Sequence, residues 1–389
     1  MTDFYRLLFD RSSDAHFILD ETGIFDCNQA AVELLGCASK EDVLHIHPAT
    51  LSPEYQPDGS LSSSASRQID ELTHEKGWHR FEWYHRKING EVFPVQVTLN
   101  SIVLDGRKML LGVWHDLTDT KKKESELHQL NSDLIRANLR MRDDLEAAAE
   151  VQRGLLPRAD IALPHLKAAW AYLPSETLGG DQLNIFHLND NALGFYCLDV
   201  TGHGVAAALL AVSVSHFLSP LTENSLVKTA DGQVVPPKDV LAQLNRQFRW
   251  KGGKPQFLTI LYGVFSPDER RLRYACAGCP GPIYFGKGSE PRFLDTPGFA
   301  VGMFEQATYD EQELLLSAGD RLFIYSDGVS EAANAAGDQF EKERLAATLA
   351  AHRAEAVGEQ VQAVLESVLQ WCAPATPRDD ISLLAFDIA

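Results

Sequence analysis

Four aspartates lie in short turns bordered by glycine or serine, each beside an apolar run. They are Asp181 in Gly179-Gly180-Asp181, Asp199 in Leu198-Asp199-Val200-Thr201-Gly202-His203-Gly204, Asp327 in Ser326-Asp327-Gly328 and Asp379 in Arg378-Asp379-Asp380. Acidic side chains at the mouths of apolar strands fit neither a solvated face nor a core. Oxygen ligands drawn from separate strands suit hard cations such as Mg²⁺ or Mn²⁺ rather than zinc or copper. Carboxylates gathered that closely repel one another unless a metal supplies the compensating charge. The chemistry these residues point to is hydrolysis assisted by two metal ions. Asp181 and Asp380 also admit a plainer reading as turn formers, because Asp readily accepts local backbone hydrogen bonds.

The stretches that must position these turns are Leu178 to Phe186, Leu198 to Leu210, Phe257 to Phe265, Tyr274 to Pro282, Gly319 to Phe340 and Arg378 to Leu384. In this order they resemble the bacterial PPM-type serine/threonine phosphatases of the SpoIIE and RsbU kind. The resemblance covers most of Pro157 to Ala389 and implies two antiparallel sheets flanked by helices, with two Mn²⁺ or Mg²⁺ ions at one end. It further implies that Asp199 bridges both metals, that the Val200 carbonyl helps ligate one, and that Asp327 and Asp379 complete one metal while Asp181 faces the other. Asp199 and Asp327 would then carry catalysis, with Asp380 in support. Two positions depart from the family pattern: Asn184 stands where a further acidic residue is usual, and Cys279 where His is frequent. Phosphate monoester hydrolysis demands a very large rate enhancement, and paired metals provide it by acidifying water for in-line attack on phosphorus. The apolar helix expected after Gly204 reads as buried on all sides and would aim its N-terminal N–H groups near the metals. His203, beside a glycine turn, is either an orienting residue or a general acid.

The chain has 389 residues, more than one core normally supports, so two or three domains are expected. Its formal net charge of −19 argues against nucleic acid or an anionic membrane as partner. No apolar stretch approaches membrane-spanning length and the start lacks a signal-peptide pattern, which predicts a cytoplasmic protein. The six cysteines are scattered, and the Cys276-x-x-Cys279 spacing has no second ligand pair to make a zinc site.

Ahead of the phosphatase-like region, Phe17 to Phe25 reads as a hairpin turning at Glu21 to Gly23, followed by a helix from Asn28 to Gly36. A Pro/Ser-rich loop from His47 to Ser66 precedes another helix. Three strands follow, His79 to Lys87, Glu91 to Leu104 and Lys108 to Asp116, joined by Asn89-Gly90 and Asp105-Gly106 turns. This order, with Asn28 to Gly36 and the terminal His115-Asp-Leu-Thr-Asp-Thr120, resembles a PAS sensor domain of unknown ligand; a ligand-free α+β dimerisation domain is the alternative. His45, His47, His85 and His115 are candidate haem ligands among which nothing selects.

Between the two runs a polar helix, roughly Lys121 to Leu156 and ended by Pro157. Leu127, Leu134, Met141, Ala148 and Leu155 fall on one heptad position and Leu130, Ala137, Asp144 and Val151 on the other. Such a seam predicts a parallel coiled coil and a homodimer, with Asp144 its polar interruption; the alternative is a helix packed on its own catalytic domain. The chain thus reads as an α+β multidomain protein. A PAS-like α/β sensor covers residues 1–118, a coiled-coil helical linker 119–157 and a PPM-type α-β-β-α sandwich 158–389. Gly-Gly-Asp after a sensor and a helix also evokes a diguanylate cyclase, but Gln182-Leu183 follows where a cyclase has Glu-Phe. A pseudophosphatase that binds a phosphoprotein without turnover is the other rival. By resemblance the substrate is a phosphoserine or phosphothreonine protein, a STAS-type anti-anti-sigma protein in partner-switching signalling.

Overall fold

A computed structural model of the chain describes residues 2–104, 106–158, 165–248, 256–294 and 296–389. It divides into two compact units, Met1–Asn138 and Leu139–Ala389.

The first unit opens with a helix the sequence pattern does not announce, α1 (Thr2–Arg11), before the expected hairpin of β1 (Ala15–Asp20) and β2 (Gly23–Cys27). Asn28 starts α2 (Gln29–Leu35): its side-chain oxygen accepts the Ala31 N–H, and its amide donates to the Phe9 and Asp14 carbonyls. Gly36 ends the helix in the left-handed conformation at φ 70°. The helix α3 (Ser62–Lys76) begins inside the stretch read as a serine-rich loop. Ser62 is buried there, and its hydroxyl donates to the Pro53 carbonyl at 2.6 Å, so the serine fixes a helix start rather than a loop. Then come β3 (Trp78–Arg86), β4 (Val92–Leu104) and β5 (Arg107–Asp116). The strands form one antiparallel sheet in the order β2-β1-β5-β4-β3, whose apolar face carries Phe17, Phe93, Val95 and Trp114 under α2. Asp105 of the expected Asp105-Gly106 turn lies outside the described residues.

The polar helix α4 (Thr118–Arg153) is one element, and the division between the units falls within it. It ends earlier than the sequence suggests; Leu155 and Leu156 continue with N–H groups bonded three residues back, to Gln152 and Arg153. Leu127, Leu130, Leu134 and Met141 of the expected seam are exposed in the single chain. The last turns correct the heptad frame. The inward residues are Leu145, Ala149 and Gln152, one position along from Asp144, Ala148 and Val151, and Val151 is exposed. The reason is local: Leu145 and Ala149 pack on Leu178 and Ala208 of the second unit, which selects the 3.6-residue stripe.

In the second unit, β6 (Leu166–Leu173), β7 (Gln182–Asn189) and β8 (Ala192–Val200) lead to α5 (Val205–Leu218) and α6 (Pro237–Gln247). The chain continues through β9 (Leu258–Ser266), β10 (Arg271–Ala277), β11 (Ile283–Phe285), β12 (Arg292–Phe293), β13 (Gln312–Leu315) and β14 (Arg321–Tyr325). It closes with α7 (Asp327–Ser330), α8 (Glu341–Ala351), α9 (Val357–Cys372) and β15 (Ile381–Ile388). Two five-stranded antiparallel sheets result, β13-β10-β9-β8-β7 and β12-β11-β14-β15-β6. Their facing sides bury Leu183, Phe195, Leu261, Ile324, Leu384 and Phe386 together. The outer face of the first sheet packs on α5 and α6 through Val200, Ala211, Leu241 and Ile260, and that of the second on α8 and α9 through Phe323, Leu345, Val361 and Leu383. This is the expected α-β-β-α sandwich. One detail differs: α5 is apolar throughout but buries one face only, leaving Val205 and Leu209 exposed.

Candidate active site

Each acidic turn sits at the end of a strand, three of them on inner strands and Asp181 on the edge strand β7. Asp181 immediately precedes β7, Asp199 is the last residue but one of β8, Asp327 opens α7 two residues after β14, and Asp379 lies two residues before β15. The strands β7 and β8 are paired, with Gln182 opposite Leu198, as are β14 and β15, with Tyr325 opposite Leu383. Antiparallel pairing therefore puts the start of one strand beside the end of its neighbour in both sheets. Each turn acts through its neighbours. A Cβ on Gly180 would stand 2.8 Å from the Val200 carbonyl oxygen and 3.2 Å from that of Gly202, so only glycine lets the two turns close on each other. Gly328, after Asp327, approaches the Asp380 carbonyl just as closely.

Asp380 is not a spare ligand but the strap of the site. Its Oδ1 accepts the Ser175 N–H at 2.7 Å and the Ser175 hydroxyl at 3.0 Å, and its Oδ2 accepts the Asp181 N–H at 3.1 Å. That carboxylate ties the loop before β15 to the loop before β7. The turn-forming reading of Asp380 is thus partly right, with the partners long-range rather than local.

The electrostatics are those of charges held together without a counter-charge. Burial, then Asp327 and Asp379, together push the Asp199 carboxyl up to about 7. Asp181, which is 1% exposed, is driven well above the carboxylate range by burial and then by Asp199 and Asp380. Burial, then Asp379 and Glu331, raise Asp327. Among the described residues no three His, Cys, Asp or Glu side chains stand close enough to hold a metal ion as they are. The donor set nevertheless suits a hard cation. It is all oxygen, the Asp181 Oδ2 is buried without a hydrogen-bond partner, and the Val200 and Gly202 carbonyls crowd the same turn.

Two residues around the site, Gln152 and Asn184, carry roles the sequence reading does not give them. Gln152, at the end of α4, donates to the Gly179 carbonyl at 2.8 Å and accepts the Gly179 N–H at 3.3 Å, both buried. A lone Gln in a polar helix gives no sequence signal for this. Asn184, at the position that is usually acidic, donates its amide to the Leu155 carbonyl at 2.8 Å and so fastens the end of the linker. His203 Nδ1 lies 2.9 Å from Glu176 Oε1, both side chains exposed, which matches an orienting role. Cys279 packs in the core between the sheets beside Cys197 and Cys276.

Residues 189–389 match the family model of stage II sporulation protein E (SpoIIE), and residues 13–119 match a PAS domain. The chain is 24% identical over 287 residues to the phosphoserine phosphatase RsbU of Bacillus subtilis, covering 74% of this chain and 79% of RsbU. It is 26% identical over 197 residues to the phosphoserine phosphatase RsbP of the same organism, 50% of this chain but only 46% of RsbP. Among solved structures, the PP2C domain of SiaA from Pseudomonas aeruginosa superposes with a TM-score of 0.55 at 21% identity, covering 65% of this chain and 98% of that one. The phosphatase domain of SpoIIE from B. subtilis with a fragment of its regulatory domain gives 0.50 at 11% identity, covering 84% and 88%.

Proposed function

The chain belongs to the stage II sporulation protein E family, a serine/threonine phosphatase domain here preceded by a PAS domain, and from that premise we propose how it works. Asp181, Asp199, the Val200 carbonyl, Asp327 and Asp379 would hold two Mn²⁺ or Mg²⁺ ions. The observation that carries this is the uncompensated cluster: one buried and two half-buried carboxyls, each raised by burial and by neighbouring carboxylates, one with an orphaned oxygen. When bound, such cations neutralise phosphoryl charge and acidify water at neutral pH. The chain's own contribution is placement. Asp380 and Gly180 bring the strand ends together, and the sandwich around them excludes water from all but the mouth.

The substrate is a phosphoserine or phosphothreonine on a protein partner, and we assign it to the STAS class of a partner-switching pathway, as for a phosphatase of the RsbU type. The sensor is residues 1–118, the linker 119–157 and the phosphatase 158–389. The exposed apolar residues of α4, Leu127, Leu130, Leu134 and Met141, support a homodimer through the linker. The linker reaches the site through Gln152, which grips the residue next to Gly180-Asp181. No helix among the described residues is long and apolar enough to cross a membrane.

The test is titration of metal-stripped full chain with Mn²⁺, following heat of binding and hydrolysis of an aryl phosphate and of a phosphoserine STAS protein. Binding and turnover should rise together and vanish with chelator. Full activity in chelator would end the metal assignment; activity on the aryl phosphate but none on the STAS protein would end the substrate assignment alone.

A further inference from the structure

The first unit encloses a cavity of about 450 Å³, within the range of small-molecule sites. Its two walls differ in chemistry. The sheet supplies Phe81, Trp83, Leu99 and Leu110, an apolar wall with aromatic faces. The helix α3 supplies Ser66, Asp70 and His74, spaced one turn apart so that they share one face. Phe81 and Trp83 meet edge to face with centroids 5.8 Å apart, which fixes their orientation.

Asp70 is the only carboxylate of that helical stripe, and it lacks a firm counter-charge. Its ion-pair contact is His47 Nε2 at 4.0 Å, beyond hydrogen-bonding distance. Asp20, also in the lining, is already engaged by the Thr22 N–H at 2.7 Å and the Thr22 hydroxyl at 2.6 Å. Glu21 and Lys108 also line the cavity, and both are exposed to solvent. His47 and His74 also line the cavity and act on Asp70, but neither makes a hydrogen bond to it, and Asp70 remains the half-buried carboxylate facing the aromatic wall. Burial raises the Asp70 carboxyl, the mark of an anion short of a partner.

We propose that this cavity binds a small organic cation, its protonated amine held by Asp70 and its aromatic body laid against the Phe81–Trp83 wall. The complementarity is of two kinds. The carboxylate supplies the charge-assisted hydrogen bond, and the ring faces attract the ammonium and its adjoining methylenes. A carboxylic acid of the same shape would face like charge, and an alcohol would leave Asp70 without its counter-ion. This site is independent of the phosphatase chemistry: its occupant is a signal-type ligand rather than a substrate.

Calorimetric titration of the full chain with phenethylamine, phenethyl alcohol and phenylpropionate tests the assignment. The amine should bind at least about tenfold tighter than either isostere, a difference of roughly 1.4 kcal/mol. Asp70→Asn should bring the amine level with the alcohol, while Asp70→Glu should retain the preference. An alcohol that matches the amine, a carboxylate that binds tighter, or an amine with no detectable binding at about 1 mM would each overturn the proposal. So would a folded Asp70→Asn protein that still prefers the amine. The ligand series on the unaltered chain decides the matter by itself if that variant does not fold.

Discussion

Burial perturbs ionisable groups in both units, with opposite outcomes. At the mouth of the sandwich the Asp181, Asp199 and Asp327 carboxyls are pushed up by burial and by neighbouring carboxylates, and an oxygen of Asp181 has no partner. Inside the PAS unit, burial pushes His85, which is 3% exposed, down to about 3, yet its Nδ1 is partnered. Its Nδ1 faces the Leu51 carbonyl at 3.3 Å and the Ser52 hydroxyl at 3.2 Å, and its ring stacks on Trp114 with centroids 3.6 Å apart. A buried titratable group is therefore not in itself a site. The discriminator is whether the protein has satisfied it: the His85 Nδ1 has partners within the fold, whereas the Asp181 Oδ2 has none.

Removing one of the unsatisfied charges gives the largest separation between the two cases. Asp327→Asn should cost at least roughly two orders of magnitude in turnover at saturating Mn²⁺, because one carboxylate fewer misplaces the charge that the reaction uses. The same change should leave the melting temperature of metal-stripped protein unchanged or higher, since it relieves repulsion with Asp379 and Asp199. A few-fold loss of rate with a clear loss of metal-free stability would make Asp327 a structural turn residue, and the contrast with His85 would collapse.

An intermediate effect is expected where the linker meets the site. Gln152 makes two buried hydrogen bonds to Gly179, each worth about 1 kcal/mol net. Gln152→Ala should raise the Mn²⁺ concentration for half-maximal rate by roughly tenfold while saturating turnover falls much less, about 1.4 kcal/mol being a factor of ten. Metal titrations of activity and of binding heat would show it. An unchanged titration would mean that the Gly179-Gly180-Asp181 turn holds itself and that α4 merely rests on it.

The acidic turns were legible in the sequence because their chemistry and their location have one cause. A carboxylate beside an apolar strand needs a glycine or serine corner to escape the core, and that corner is visible as a motif at Asp199 and Asp327. The sandwich was legible only through the resemblance that the motif-bearing stretches carry, not from the apolar runs themselves. What stayed hidden were groups whose role depends on long-range contacts: Asp380 reaching Ser175, Asn184 reaching Leu155, and Gln152 reaching Gly179. The heptad reading of α4 failed at its end for a related reason. The stripe that matters there, Leu145, Ala149 and Gln152, is chosen by the surface it packs on, and no spacing in the helix alone announces that surface.

The smallest effect concerns the satisfied histidine and is read in stability rather than rate. His85 titrates near 3 in the folded chain against an ordinary value of 6.5, so below 6.5 the unfolded chain takes up the proton first. The stability that neutral His85 confers is thus full above pH 6.5 and is lost progressively as the pH falls toward 3, at no more than about 1.4 kcal/mol per pH unit. Urea unfolding of the full chain, followed through the transition of the first unit, should show a midpoint that falls with pH across that window. His85→Gln keeps a hydrogen-bonding group near Ser52 but cannot take the proton; it should lower the midpoint at neutral pH and flatten the slope by about one proton. Equal slopes in the two proteins would assign the acid sensitivity to other groups. They would also remove His85 as the counter-example to the aspartate cluster, leaving burial alone as a sufficient mark of a site.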